Sequence, residues 1–558
     1  MNIQNRIIND TIYNHIEYTG LEGLIFQTKT FNRLQFITQN ALAYFSFPSI
    51  STKRLIHSIG TMHVSSFILK NSLINSKYEV QESFLKELKK VIKKIIKREE
   101  LDINLDENVC LLDKKALYQF SIPTLSKSSK NTYEIILQSV RLAALFHDLG
   151  HLPFSHQCEN ALKNIFLKIK ENENLNNKEE QFKQIYLEIT SNEKKVLHES
   201  IGEHLIDLMY KIELKDEITE KDCKEYLKLI FFITKAILKE EKFKEFSFKF
   251  LHKIISGTID ADRLDYINRD MLSSGYIGGA NDNLRVAKLS CLIKEKDNYN
   301  LSFQDYGLID IEHILEMRFN LYKKVIFNHS ISKTDWALEH VIEFLSTKYF
   351  QTDDTYINLP TNSISMLWDF FTEKNDNKKL DIVSMLDENW LISLFKKEYF
   401  EIKEKENLTH EDKKFIKSVE EVLFGKNFFK SYWKNLNEFY NLLDFTKVER
   451  YRYRESFGYV DEKKKEKLKR LLKEFCKKHE NENRFISFHI VSLSIGIEKD
   501  FSLYGDDKLI KIDEVSTIRK RLKKSILNTV PFYLYSNEND LNNEMKDDLI
   551  EILNKIFD

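Results

Sequence analysis

At 558 residues, with 85 basic and 86 acidic side chains and a formal net charge of −1, the chain has material for one to three folded units. That balance excludes a global field recruiting nucleic acid or membrane. Five cysteines, scattered and without a CxxC pair, indicate neither a disulfide framework nor a zinc knuckle, while few prolines and glycines among long runs of Leu, Ile, Lys and Glu predict a mainly α fold.

In chain order, residues 1–15 lack the basic-then-apolar layout of a signal peptide, and no apolar run is long enough to span a bilayer, so a cytoplasmic protein is expected. Arg54 to Gly60 opens an apolar helix that carries His57 in its first turns. An insertion at about 73–135 follows, in which Phe84, Leu88, Val91, Ile92 and Ile95 form one stripe and lysines fill the rest, predicting an amphipathic basic helix. The next helix, with Leu142, Ala143, Leu145 and Phe146, is expected to end at His147-Asp148, with Gly150 as its stop and Pro153 in the exit loop. That end matters because adjacent side chains do not share a helix face; His147 and Asp148 converge on one ion only there.

A second insertion, at about 165–195, is polar and predicts solvated helix and loop. Farther on, Asp260, Asp262 and Asp265 sit on an otherwise apolar stretch. Together His57, His147, Asp148 and Asp262 offer two imidazoles and two carboxylates to a divalent ion, leaving positions open for water and phosphate oxygens. The chemistry expected is hydrolytic. From 346 to 480 the pattern stays helical without recognisable chemistry, and 485–491, 501–504, 509–512 and 532–535 read as strands with a helix at 514–528. The organisation expected is a core at 1–345, a helical region at 346–480 and a small α/β lobe at 481–558, the last two used for assembly.

An ordered series of motifs narrows the reading. They are Phe31-Asn32-Arg33-Leu34 with Gln39, Phe47-Pro48 and Arg54 to Gly60; HDLGHLPFSH at 147–156; His198-Glu199; IDADRLDYINRD at 259–270; and Met317-Arg318 with Leu321-Tyr322. In order and spacing the stretch 20–335 resembles the HD-domain phosphohydrolases, and within them the deoxynucleoside triphosphate triphosphohydrolases. The resemblance implies attack of water on the α-phosphorus of a dNTP, releasing deoxynucleoside and tripolyphosphate. It implies His156 as the acid that protonates the leaving oxygen, His151 and His198 as phosphate-orienting groups, Arg54 and Arg318 on phosphates, and Gln39, Tyr266 and Asp270 around the deoxyribose. One divalent ion per site is implied (manganese, iron, magnesium or zinc), with magnesium also accompanying the nucleotide.

A homo-oligomer, tetramer or hexamer, a nucleotide effector, and a role in nucleotide-pool control or phage defence follow from the same resemblance, with no SAM-type module preceding the core. The sequence departs from the family pattern at Asn40, where a hydrophobic residue is usual, and at Ile326-Phe327-Asn328-His329, where Val-Tyr-x-His is typical. The first departure bears on the sugar, the second on the phosphate or base. Asp260 and Asp265 have a second reading, as a helix cap and as ion-pair partners of Arg263 and Arg269. Two alternatives stand beside the hydrolase: a metal nuclease or phosphodiesterase holding single-stranded DNA on the basic helix at 86–98 or the C-terminal basic helix, and a subunit that senses nucleotide without turnover.

Overall fold

A computed structural model describes residues 6–557 apart from 108, 219, 244–245, 277–282, 297, 353–361 and 458–461, so two stretches of the expected helical region lie outside the described residues. The fold is mainly α, as composition predicts. Its axis is the helix Arg54–Ile74, buried from His57 to Ser66 without a break. A helix apolar on every side must be covered all round. Helices Lys127–Phe146 and Ala261–Ser274 pack against it, and each brings functional side chains to its first turns.

Helix Lys127–Phe146 starts where the Ser126 hydroxyl accepts from the Ser129 amide at 3.3 Å, is buried from Asn131 onward, and stops with His147 as its C-cap. Gly150 does not terminate it through a left-handed turn. Instead a Cβ there would lie 1.9 Å from the His198 carbonyl oxygen and 2.3 Å from the Gly202 nitrogen, so the glycine lets helix Leu197–Leu208 touch the His147–His151 loop backbone to backbone.

The basic helix forms over Tyr78–Arg98 with the expected stripe buried and Lys86, Lys90, Lys93, Lys94 and Lys97 exposed. The second insertion differs from expectation. Helix Asn177–Ile189 buries Phe182, Ile185, Tyr186 and Ile189, a spacing that places all four on one face, against Phe166 and Trp368.

The C-terminal strands form, but they are divided between two sheets. Ser502–Gly505 lies parallel to Asn298–Gln304, and with Ser290–Glu295 and Lys508–Lys511 they make a four-stranded sheet on the main core. Ile486–Ile490 and Phe532–Ser536 pair with Lys430–Ser431 in a three-stranded sheet over a second core that includes Trp433, Phe439, Leu472 and Leu549. The expected single lobe at 481–558 is therefore corrected: the segment between Ile490 and Ser502 crosses back to the main body. A further correction concerns the cysteines. Cys110 and Cys223, 113 residues apart in sequence, are disulfide-bonded with their Cα atoms 5.2 Å apart, a proximity that only the fold creates. Among the described residues no helix is long and apolar enough to cross a membrane.

Candidate metal centre and phosphate cavity

His57 from the central helix, His147 and Asp148 from the end of helix Lys127–Phe146, and Asp262 from the first turn of helix Ala261–Ser274 converge. His57 Nε2 lies 3.0 Å from Asp262 Oδ1 and 3.6 Å from Asp148 Oδ2; His147 Nε2 lies 3.5 Å from Asp148 Oδ1 and 3.6 Å from Asp262 Oδ1. Both Nε2 atoms are buried and make no hydrogen bond among the described residues. Their other ring nitrogens are engaged, His57 Nδ1 with Asp265 Oδ2 at 2.8 Å and His147 Nδ1 with the Ala144 carbonyl at 2.7 Å. Rings clamped through Nδ1 with Nε2 free toward two carboxylates are what a divalent ion requires, and the four residues fit one.

The carboxylates dominate the electrostatics around both rings. Burial, which alone would lower it, is outweighed for His57 by Asp262 and Asp265, which raise it to about 10. For Asp148 burial is outweighed by Arg54 and then His147 and His151, which hold the carboxyl well below its usual range. Asp265 accepts from Arg269 Nε at 2.7 Å, the ion pair the sequence offered, and it also orients His57, a role the sequence reading did not assign. Asp260 is the helix cap, accepting from the Arg263 amide at 2.7 Å. Asp265→Asn, which removes the carboxylate facing His57 Nδ1, is expected to weaken metal affinity by about 10–100-fold while the chain stays folded; metal titration against thermal melting measures the two separately.

Beside the centre, three histidines share one carboxylate. Glu159 accepts from His151 Nδ1 at 2.8 Å and His198 Nδ1 at 2.9 Å, and His156 Nδ1 lies 3.8 Å away. The His151 and His198 rings stack 4.1 Å apart. Burial, then Arg54 and His198, push His151 down to about 4, whereas for His198 burial is outweighed by the Glu159 charge and its titration point rises. His156, 61% exposed, stands over this pair with ring centroids 4.9 and 5.5 Å away. Glu159 went unnoticed in the sequence, although its offset from His156 places both on one face of helix His156–Lys170.

Arg54 is fixed rather than free: its Nε donates to Ser155 Oγ at 2.8 Å and its Nη1 to Asp148, while Ser155 Oγ donates to the Thr38 carbonyl at 2.9 Å. Phe154 and Ser155 both hold positive φ, 58° and 56°, conformations that L side chains adopt only when their surroundings impose them. Arg33 grips the same loop from behind, donating to the carbonyls of Leu149 and His151 at 2.6 and 2.9 Å and to that of Leu386 at 3.1 Å. Glu388 accepts from Thr38 through both its amide and its hydroxyl, at 2.6 and 2.5 Å. Residues from the region without visible chemistry therefore brace the site.

A cavity of about 670 Å³ opens over these groups, lined by Gln39, Arg54, the metal-facing residues other than His57, the three histidines and Tyr266, with Lys195 and Lys239 at its edge. A smaller one of about 140 Å³ adjoins it and includes Asp270. Arg318 lies deeper, stacked 4.5 Å over Tyr322, and its Nε and Nη1 have no hydrogen-bond partner among the described residues. Gly496, with φ +66°, rests on it: a Cβ there would fall 2.1 Å from Arg318 Nη1. The same glycine's carbonyl accepts from Arg263 Nη1 at 2.7 Å. Of the candidate site residues read from the sequence, all but His57 and Arg318 line one or both of these cavities.

Comparison with known proteins gives the following. Residues 125–242 match the HD domain family. The chain is 22% identical over 380 residues to an HD domain-containing protein of Acanthamoeba polyphaga mimivirus, covering 68% of this chain and 64% of that one. It is 24% identical over 409 residues to the deoxynucleoside triphosphate triphosphohydrolase SAMHD1 of Gallus gallus, covering 73% and 54%. The matches span between half and two thirds of the length of these curated relatives. A phosphohydrolase structure from Bacteroides thetaiotaomicron superposes with a TM-score of 0.55 over 95% of this chain and 99% of its own at 18% identity, a likeness of fold.

Proposed function

We propose that this chain, whose residues 125–242 match the HD domain family, is a metal-dependent deoxynucleoside triphosphate triphosphohydrolase, converting dNTPs to deoxynucleoside and tripolyphosphate. The observation that carries this reading is the adjacency of the His57–His147–Asp148 cluster, with Asp262 Oδ1 within 3.6 Å of both imidazoles, to a cavity holding three imidazoles and a fixed guanidinium. A divalent ion held by those four residues supplies, when bound, Lewis-acid activation of water and charge neutralisation on the phosphate. Manganese, iron, magnesium and zinc all suit that donor set.

The protein's own groups do the rest. Arg54, locked by Asp148 and Ser155, presents its guanidinium to the cavity without needing to be ordered by substrate. Arg318, a buried cation whose Nε and Nη1 have no partner among the described residues, donates to phosphate oxygens. His198, whose titration point the Glu159 charge raises, and His151, pushed down to about 4, orient the triphosphate, and the exposed His156 gives its proton to the 5′-oxygen as the α-phosphorus–oxygen bond breaks. Gln39, Tyr266 and Asp270 surround the deoxyribose; the buried Gln39 Oε1 and Asp270 Oδ1 have no partner among the described residues and are free to accept from the 3′-hydroxyl. A homo-oligomer, tetramer or hexamer, an effector nucleotide and a cytoplasmic role in nucleotide-pool control or phage defence belong to the same reading.

The test is turnover of each dNTP singly and in an equimolar mixture with manganese, separating nucleoside from tripolyphosphate, before and after removal of metal by a chelator. Tripolyphosphate is expected from the loaded protein, none after chelation, and full return on adding manganese; activity in the mixture alone identifies an effector. The exposed lysine row on helix Tyr78–Arg98 favours one other reading, a nuclease on single-stranded DNA, and cleavage of labelled DNA with every dNTP intact would replace the first.

A further inference from the structure

The sugar end of the site holds more hydrogen-bonding capacity than a deoxyribose fills. The smaller cavity shares Gln39, Arg54, His156, Tyr266 and Tyr322 with the larger one, so a nucleotide whose phosphates lie in the larger reaches into the smaller. Three of its lining residues carry a buried polar atom with no hydrogen-bond partner among the described residues: Gln39 Oε1, Asn40 Nδ2 and Asp270 Oδ1. Asn40 is also a position where the sequence departs from the family pattern.

The backbone holds these groups in place. The Gln39 amide donates to the Thr52 carbonyl at 2.9 Å, next to the bridge between Thr38 and Lys53, and the Asn40 carbonyl accepts from the Ala43 amide at 2.9 Å. Asp270, 2% exposed, belongs to helix Ala261–Ser274, which also carries Asp262. Burial pushes its carboxyl up to about 6, opposed first by the Asn40 amide facing it, so above neutral pH it is ionised and an acceptor. The two acceptors need one hydrogen each, and Asn40 Nδ2 needs one lone pair. The 3′-hydroxyl of a deoxyribose has lone pairs to offer but a single hydrogen, so one of the two oxygens would stay buried without a donor. A ribose brings two hydrogens on adjacent carbons.

We propose that this pocket takes the vicinal diol of a ribose: one hydroxyl donates to Asp270, the other to Gln39, and Asn40 donates to a diol oxygen, so ribonucleoside triphosphates are turned over at least as readily as dNTPs. This rests on the triphosphohydrolase reading and widens its substrate class. A 2′-hydroxyl pressed against apolar surface loses its water without replacement, whereas one met by these atoms exchanges water for protein partners. A site that hydrogen-bonds a substrate hydroxyl also disfavours the analogue lacking it, because its own buried groups are then left unpaired.

Competition in one equimolar mixture of the four NTPs and the four dNTPs at pH 8 with manganese contains any nucleotide effector, and chromatography of the released nucleosides gives relative kcat/KM directly. Wild type is expected to release each ribonucleoside at least as fast as the deoxynucleoside of its own base type. In a second mixture it is expected to favour ATP at least about tenfold over 2′-deoxy-2′-fluoro-ATP, in which fluorine fills the 2′ position but brings no hydrogen. Asn40→Leu, which replaces the donor with apolar surface, is expected to shift the ratio of ribonucleotide to deoxynucleotide turnover at least about tenfold toward the deoxynucleotides. Slower release of the ribonucleosides, a smaller margin over the fluoro nucleotide, or a smaller shift in Asn40→Leu would overturn the assignment, while tripolyphosphate from dNTPs leaves the triphosphohydrolase standing. The ribose and fluorine comparisons need only the wild-type chain, so a variant that fails to fold does not rescue the proposal. Absence of tripolyphosphate from every nucleotide defeats the underlying function, and the sugar assignment with it.

Discussion

Alanine at His147 is expected to abolish tripolyphosphate release and metal retention while leaving the chain folded. The imidazole is the C-cap of helix Lys127–Phe146, tied by Nδ1 to the Ala144 carbonyl, with only Nε2 facing the two carboxylates. Truncation removes one of four donors and frees the Ala144 carbonyl at the helix end, beside the cavity that His147 lines. Loss of a ligand should exceed the ~10–100-fold that changes one shell farther out cost in metal affinity. Manganese stoichiometry after dialysis, kcat/KM for the preferred dNTP and the metal-free melting temperature separate the effects. A variant that keeps its metal and stays within tenfold of wild-type activity would move the centre elsewhere.

Alanine at Gly150 is expected to fail differently, by loss of stability with or without metal. A methyl there would meet backbone atoms, the His198 carbonyl oxygen at 1.9 Å and the Gly202 nitrogen at 2.3 Å, neither of which can rotate aside. The loop and helix Leu197–Leu208 must separate, and the stacked His151–His198 pair with them. Overpacking of this kind costs about 1–3 kcal/mol, and contact with backbone on both sides puts this case at the upper end. Gly275→Ala is the matched control: φ is +74° with nothing within 4 Å among the described residues, so its expected penalty is local backbone strain. Denaturant midpoints should rank wild type above Gly275→Ala above Gly150→Ala, and the reverse order for the two variants would remove the close-approach account.

Much of this site was legible in the sequence because its parts are local. His147-Asp148 at a helix end, His57 in a helix start and Asp262 after a capping aspartate are each visible in a short window, and the order of the motifs joined them. What escaped notice acts across distance or through backbone. Glu388 reaches Thr38 from 350 positions away, Arg33 binds carbonyls that carry no residue identity, and Cys110 and Cys223 meet only once the fold exists. The consecutive positive φ values at Phe154 and Ser155 left no signal, since neither residue type favours that region; Arg54 and Thr38 impose it. The packed face of helix Asn177–Ile189 was legible by its spacing but hidden among the charged residues around it.

The strand Ser502–Gly505 has a consequence for how this protein is made. It pairs with the open edge of the hairpin Ser290–Glu295 and Asn298–Gln304, and Ser302 donates to its backbone across a separation of 200 residues. At the usual pace of translation, the nascent chain carries that sheet edge open for roughly 10–40 s after the metal-facing residues have left the ribosome. The segment that lays Gly496 on Arg318 arrives in the same late interval. An open strand edge beside a half-finished core is a template for wrong pairing, so slow synthesis or a late stop codon would send this chain toward aggregation before it could turn over a nucleotide.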